Sequence, residues 1–282
     1  MQVALTRIKQ ALKIGADTKR ALQQSSYMKN TVKFYGLTSK EVSTTFKNIK
    51  KEIIEAVPDP KEQIQLATKH LLRSDYFEEK QICIQILVLQ LKLFSKPKHD
   101  GLATLIIEQI KTVLDEDEHF NWGTTDSLSS MVLCEIIKKK GKGTAETISQ
   151  WSYDPKPSLW RLRSSCVTFV KIARHGKYNE LILDQCKHIL TGRADELHKE
   201  RFVQLGVGWV LRELSLNDEP SVIEFLKKHY HHFSREGLRY AIEKMDSETK
   251  SNLMKYSPNE SEEEEDESEE EEQPKRKIRR IK

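Results

Sequence analysis

Cysteine is scarce: Cys83, Cys134, Cys166 and Cys186 are the only four in 282 residues. None sits in a CxxC pair or has a histidine at metal-binding spacing, and each falls in an apolar helical run. They read as reduced core thiols, which argues against a disulfide framework and a zinc-finger-type site. No apolar run reaches the length of a membrane span, and the N-terminus lacks the charged-then-apolar pattern of a signal peptide. A soluble, intracellular protein with no membrane partner is expected. Sustained period-two alternation is missing too, so no sheet is expected. Gly141-Lys142-Gly143-Thr144 lacks the full GxxxxGK[ST] pattern and a leading strand, so it is not read as a phosphate loop. His229, His231 and His232 have no Cys or carboxylate partner at ligand spacing and make a poor metal site. Neither metal nor organic cofactor is expected.

Charge is abundant but unevenly placed. The overall net charge is +4. Residues 260–282 hold eleven acids and six basic residues; without them 41 Lys and Arg face 32 Asp and Glu, or +9 on the body. A body this basic favours a polyanionic partner, although a merely lysine-rich surface has the same composition. Glu260 to Glu272 is almost all acid and repels itself, so residues 257–282 are expected to be a disordered tail. Ser261 and Ser268 lie within it as candidate phosphorylation sites. The compact basic cluster from Lys275 to Arg280 has the character of a nuclear address.

Helical signals fill residues 1–256, which read as one domain. Thr38 and Glu41 form a predicted capping box opening a helix to about Ala56. Tyr76 to Phe94 is apolar around much of its circumference and reads as a central buried helix. One helix is expected over Leu128–Lys140 and one long helix over Asp195–Leu214. About a dozen helices on short loops predict an all-α solenoid of paired antiparallel helices. Trp122, Trp160 and Trp209 are separated by 38 and 49 residues. These intervals straddle the roughly 40–47 residues of HEAT-type helix pairs, whose stacking leaves a concave, here basic, face.

Phe120-Asn121-Trp122-Gly123-Thr124-Thr125-Asp126 is the most informative stretch. On a helix, Trp122 and Asp126 share a face. A lone carboxylate beside an indole is costly as core but suits a site that meets something planar and cationic. Arg163 follows Trp160 by three, and Arg212 follows Trp209 by three. Such a surface can hold a sugar-phosphate backbone, arginine on phosphate and indole on sugar or base. The competing reading places the tryptophans in the core and the arginines along its edge.

Five segments occur in order: Tyr27-Met28-Lys29 ahead of Phe34-Tyr35-Gly36, Trp122-Gly123-Thr124-Thr125-Asp126, Leu159-Trp160-Arg161-Leu162-Arg163, Gly208-Trp209-Val210-Leu211-Arg212-Glu213, and Ser234-Arg235-Glu236. Together they resemble the AlkD-type DNA alkylation repair glycosylases, over the body from the first helix to about Met245. The resemblance implies a HEAT-like solenoid that acts on duplex DNA as a monomer and releases N3- and N7-alkylated purines. It implies that Asp126 is the essential carboxylate and that Trp122 and Trp209 flank the damaged nucleotide's sugar. It makes Arg163 a backbone contact and Tyr27 an aromatic near the cleft, with Trp160, Arg212 and Lys29 as further DNA contacts. For this the carboxylate must stand as a bare anion in the middle of the hollow.

Several positions depart from the family's pattern. Asn121 and Gly123 replace a Trp and an Asp, and Gln204 and Leu205 replace a basic pair, with an expected loss of phosphate-neutralising charge. Two alternatives remain open: a non-catalytic DNA-binding member, and a solenoid adaptor for protein partners. The acidic tail is expected to be able to occupy the basic groove in place of DNA.

Overall fold

The computed structural model describes residues 1–257 apart from 95–98, 100, 117–119 and 193–194. The acidic run, Ser261, Ser268 and the basic cluster of the tail lie outside the described residues. Helix follows helix: α1 (Gln2–Ile14), α2 (Thr18–Tyr27), α3 (Ser39–Ala56), α4 (Pro60–Gln65), α5 (Phe77–Gln90), α6 (Leu102–Asp115), α7 (Trp122–Leu128) and α8 (Cys134–Lys140). Then come α9 (Lys142–Ser149), α10 (Leu159–Val167), α11 (Val170–Ala173), α12 (Asn179–Thr191), α13 (Arg201–Ser215), α14 (Glu219–Lys228), α15 (Arg235–Ala241) and α16 (Ser247–Lys255). Among the described residues the only β pairing is an isolated bridge between Lys33 and Tyr76.

Local chemistry explains most helix starts. Asp17, Asp59, Asn121, Ser158, Asp218, Ser234 and Asp246 each accept a hydrogen bond from a first-turn backbone N–H, which satisfies a donor with no intrahelical partner. The Thr38–Glu41 capping box forms as its spacing predicts. Two boundaries differ from expectation. The helix expected from Leu128 begins at Trp122, because Asn121 Oδ1 accepts from Thr124 N at 3.0 Å. It then passes through a π-helical turn, Ser129–Leu133, into α8. The long helix expected from Asp195 begins only at Arg201. Before it, Glu196 is left-handed (φ 61°) and Leu197–Lys199 is a 3-10 turn.

The helices stack as a solenoid. One row runs α1, α3, α5, α7, α10, α13, α15, each packed on the next, while α6, α9, α12 and α14 pack against its members or one another. Apolar residues of both rows make a single continuous core. The predicted central helix is α5, buried on several sides at Ile82, Cys83, Ile86 and Leu87. The four cysteines are free and buried.

A carboxylate at the start of α5 holds the link between α2 and α3. Glu78 is fully buried and accepts from the backbone N–H groups of Tyr35 (3.0 Å), Gly36 (2.8 Å) and Leu37 (3.1 Å). Its neighbour Glu79 accepts from the Tyr35 hydroxyl at 2.7 Å, and Tyr35 stacks on Tyr76 at 4.2 Å. Gly36 has φ 95°, and a Cβ there would lie 2.1 Å from the Asp17 carbonyl oxygen, so only glycine fits. The staple fixes the segment that leads from Tyr27 to α3. Glu78→Ala would strip the acceptor from three buried donors, each left at a cost of about 1–3 kcal/mol. Urea unfolding should therefore show a loss of about 3 kcal/mol or more.

Candidate functional site

Six of the expected site residues fall on one row of helices. Trp122 and Asp126 stand on α7, Trp160 and Arg163 on α10, and Trp209 and Arg212 on α13. Tyr27 ends α2, and its ring meets the Trp122 indole edge-on at 6.0 Å. A cavity of about 660 Å³ opens here, lined among others by Tyr27, Trp122, Trp160, Arg163, Phe202 and Tyr240.

Asp126 is not a bare anion. Its Oδ1 accepts from Arg163 Nε at 2.8 Å and its Oδ2 from Arg163 Nη2 at 2.9 Å. The third arm of the guanidinium, Nη1, donates to the Phe202 carbonyl at 2.8 Å. The side chains are 17% and 6% exposed, so this is a largely desolvated two-pronged pair. Burial pushes the Asp126 carboxyl above the ordinary aspartate range, and the hydrogen bonds and charge of Arg163 only partly oppose it. The phosphate contact expected of Arg163 does not fit this geometry, because its hydrogen-bonding arms are already engaged inside the protein. It lines the cavity as the holder of Asp126. A second tie joins the same helices, with Ser129 Oγ and Ser164 Oγ 2.8 Å apart.

Trp160 is 8% exposed and packs on Phe202 at 5.3 Å, so it serves the core and the cavity floor together. Trp209 does not line the cavity. It packs on Tyr240 at 6.3 Å, and Tyr240 supplies the wall. Gly208 permits that arrangement: a Cβ there would sit 2.6 Å from the Gly237 carbonyl oxygen and 3.3 Å from Tyr240 Cβ. Arg212 is also engaged, donating to Glu243 at 2.6 Å and Glu213 at 2.9 Å, with its guanidinium carbon 4.7 Å from the Tyr240 ring centre. Both of its terminal nitrogens therefore face carboxylates of the protein, where the sequence led to the expectation of a DNA contact. Lys29 remains exposed at the cavity, in a left-handed backbone (φ 53°).

Two of the departures, Asn121 and Gln204, have local structural roles. Asn121 is the α7 cap, and a Cβ on Gly123 would make only ordinary contacts of 3.4–3.5 Å. Gln204 is 1% exposed. Its amide nitrogen donates to the His198 (2.7 Å) and His232 (2.9 Å) carbonyls, while its oxygen accepts from Ser234 N (2.9 Å). Gln204 is thus a buried clamp on three backbone groups and brings no positive charge to the cavity. Leu205 lines the cavity. Phe202 and Tyr240 escaped the sequence reading. Phe202 adjoins no recognisable motif, although Tyr240 follows Ser234-Arg235-Glu236 by one helical turn. Among the described residues no group of three His, Cys, Asp or Glu is arranged for a metal.

The pattern for DNA alkylation repair enzymes matches residues 8–245. The chain belongs to that family. Among solved structures it is similar to a predicted DNA alkylation repair enzyme from Enterococcus faecalis. The identity is 17% and the TM-score 0.62, over 82% of this chain and 97% of that one. At that identity the likeness speaks for the fold alone. No protein of curated function matches the chain. Family membership makes DNA the substrate and alkylation repair the process.

In this repair enzyme the Asp126–Arg163 pair has a measurable structural weight. Removing one partner of a buried pair costs about 3–5 kcal/mol, because the other is left buried and uncompensated. Arg163→Met should therefore destabilise by that order, and Asp126→Asn with Arg163→Met by less than the sum of the two single changes. Urea unfolding of the four proteins in the cycle checks it, and additive losses would mean the pair does not act as a unit.

Proposed function

We propose that the chain hydrolyses the N-glycosidic bond of cationic N3- and N7-alkylated purines in duplex DNA, as a monomer. One observation carries this reading. In a DNA alkylation repair enzyme, a carboxylate held in fixed orientation sits beside a cavity walled by Tyr27, Trp122 and Trp160. The reaction breaks the bond between the sugar's C1′ and the purine nitrogen. Its electron pair goes to the base, which is already cationic and departs neutral, so no general acid is needed. Positive charge then develops on the sugar. The Asp126 carboxylate opposes it electrostatically, and the faces of aromatic rings attract it. Water adds to C1′ and loses a proton to complete hydrolysis.

Arg163 is a positioning residue in this scheme. Two parallel hydrogen bonds fix the carboxylate plane, yet each oxygen keeps a lone-pair direction for the developing cation or the water. The same pairing supports a second reading, a non-catalytic binder of damaged duplex, because Asp126 itself does not line the cavity. Incubation with methylated duplex and chromatography of the liberated bases separates the two. Release of 7-methylguanine or 3-methyladenine is expected, and binding without release favours the second reading.

Asp126→Asn should abolish release while duplex binding persists; equal release would remove Asp126 from the mechanism. The carboxyl must be ionised to act, and burial raises its pKa. Protonation therefore begins at a higher pH than for an exposed aspartate. The acid limb of the rate profile should have its midpoint above the ordinary aspartate value.

The acidic stretch 260–272 complements a groove that binds DNA. On this reading it competes for the groove, and Lys275–Arg280 directs the protein to the nucleus. Deleting 260–282 should raise duplex affinity; unchanged affinity would count against the competition.

A further inference from the structure

Eight of the ten arginines among the described residues have carboxylate partners. Arg7 pairs with Glu52, Arg20 with Glu41, Arg73 with Glu116 and Arg161 with Asp115 and Asp154. Arg163 pairs with Asp126, Arg174 with Glu213, Arg201 with Glu236, and Arg212 with Glu213 and Glu243. Arg235 and Arg239 are left over. They stand four apart on α15, hence on one face of that helix, and both are exposed. Arg239 lines the cavity, as does exposed Lys29 from the link after α2.

Arg239 is unpaired for a reason visible in its surroundings. Two acids lie within reach along its own helix and the following turn, Glu236 three residues before it and Glu243 four after it. Glu236 instead accepts from Arg201 Nε at 2.7 Å, and Glu243 accepts from Arg212 Nη1 at 2.6 Å. Both neighbouring carboxylates are thus taken by arginines of α13. The result is a pair of cations, about 6 Å apart along the helix axis, whose charge is not cancelled locally. Across the cavity, toward the α7 end of the row, Lys29 adds a third.

We infer that Arg235 and Arg239, with Lys29 at the other end of the cavity, form the phosphodiester-binding site that holds a nucleic-acid strand across the cavity mouth. Guanidinium forks take phosphate oxygens bidentately. Spaced one helical turn apart, they can meet neighbouring phosphates, while Lys29 acts as a point charge on the same strand. This takes over the phosphate roles expected of Arg163 and Arg212, whose terminal guanidinium nitrogens already donate inside the protein. It rests on DNA being the ligand, but not on the glycosylase reaction.

The test uses the full chain and an unmodified fluorescent duplex, with affinity followed by anisotropy over a salt series. Each phosphate contact removed should lower the magnitude of the slope of log K against log salt by about 0.9. Arg239→Gln should therefore lower it by about 0.9, and Arg235→Gln with Arg239→Gln by about 1.8. Arg239→Lys keeps the charge and should keep the slope, whereas Arg7→Gln, whose guanidinium is already taken by Glu52, should leave it unchanged. A double variant with the wild-type slope overturns the assignment, as does weaker binding at an unchanged slope or failure of the wild type to bind duplex. Base release by the wild type is scored separately. Slope loss without any release would keep this site and reject the glycosylase reading.

Discussion

A guanidinium and a carboxylate locked together between α7 and α10 are the constraint around which the site is built. Taking both charges out of water is expensive, and the geometry offsets that cost with two parallel hydrogen bonds of 2.8 and 2.9 Å. The third arm of the guanidinium ties the start of α13 through the Phe202 carbonyl. One side chain, Arg163, therefore sets the relative positions of three successive helices in the row. It also places the aromatic residues those helices carry. A carboxylate held this way cannot turn to find solvent, which is what electrostatic preorganisation would demand of it in the proposed reaction.

Two other contacts supply the margins of the same cavity. The Glu78 carboxylate, closing on three backbone N–H groups, anchors the link that presents Tyr27 and Lys29. At the opposite end Gly208 meets Gly237 closely enough that α13 and α15 touch backbone to backbone. That contact sets Tyr240 against Trp209 and puts Arg239 at the rim. The division of labour among the basic residues follows from this packing. Arginines near the core are consumed by carboxylates, and exposed cations on α15 and on the α2–α3 link remain for a polyanion.

Much of this was legible in the residues because it depends on local rules. The capping box at Thr38, the buried helix around Ile82–Leu87, the lack of strands among the described residues and the shared face of Trp122 and Asp126 follow from spacing alone. The family was legible because five weak segments occur in one order. Less visible were contacts between segments far apart in the chain. Nothing near Glu78 announces that its carboxylate will close on residues 35–37, more than forty positions away. Asn121 looks like a departure from a pattern until its side chain is seen capping α7. Gln204 reads in sequence only as a position without charge, and its burial against three backbone groups appears only in the fold.

The order of residues by itself determined an all-helical chain, a basic body with an acidic extension, and the family to which the chain belongs. Periodicity, caps and composition act over a few residues and need no partner. Only the tertiary structure decided which charges face outward. Arg163, Arg212 and Arg239 are alike in sequence terms, each on a helix near an aromatic residue. Packing gave the first two carboxylate partners from other segments and left the third without one, because a charge's role is set by what lies within a few ångströms of it, and that distance is fixed by the fold.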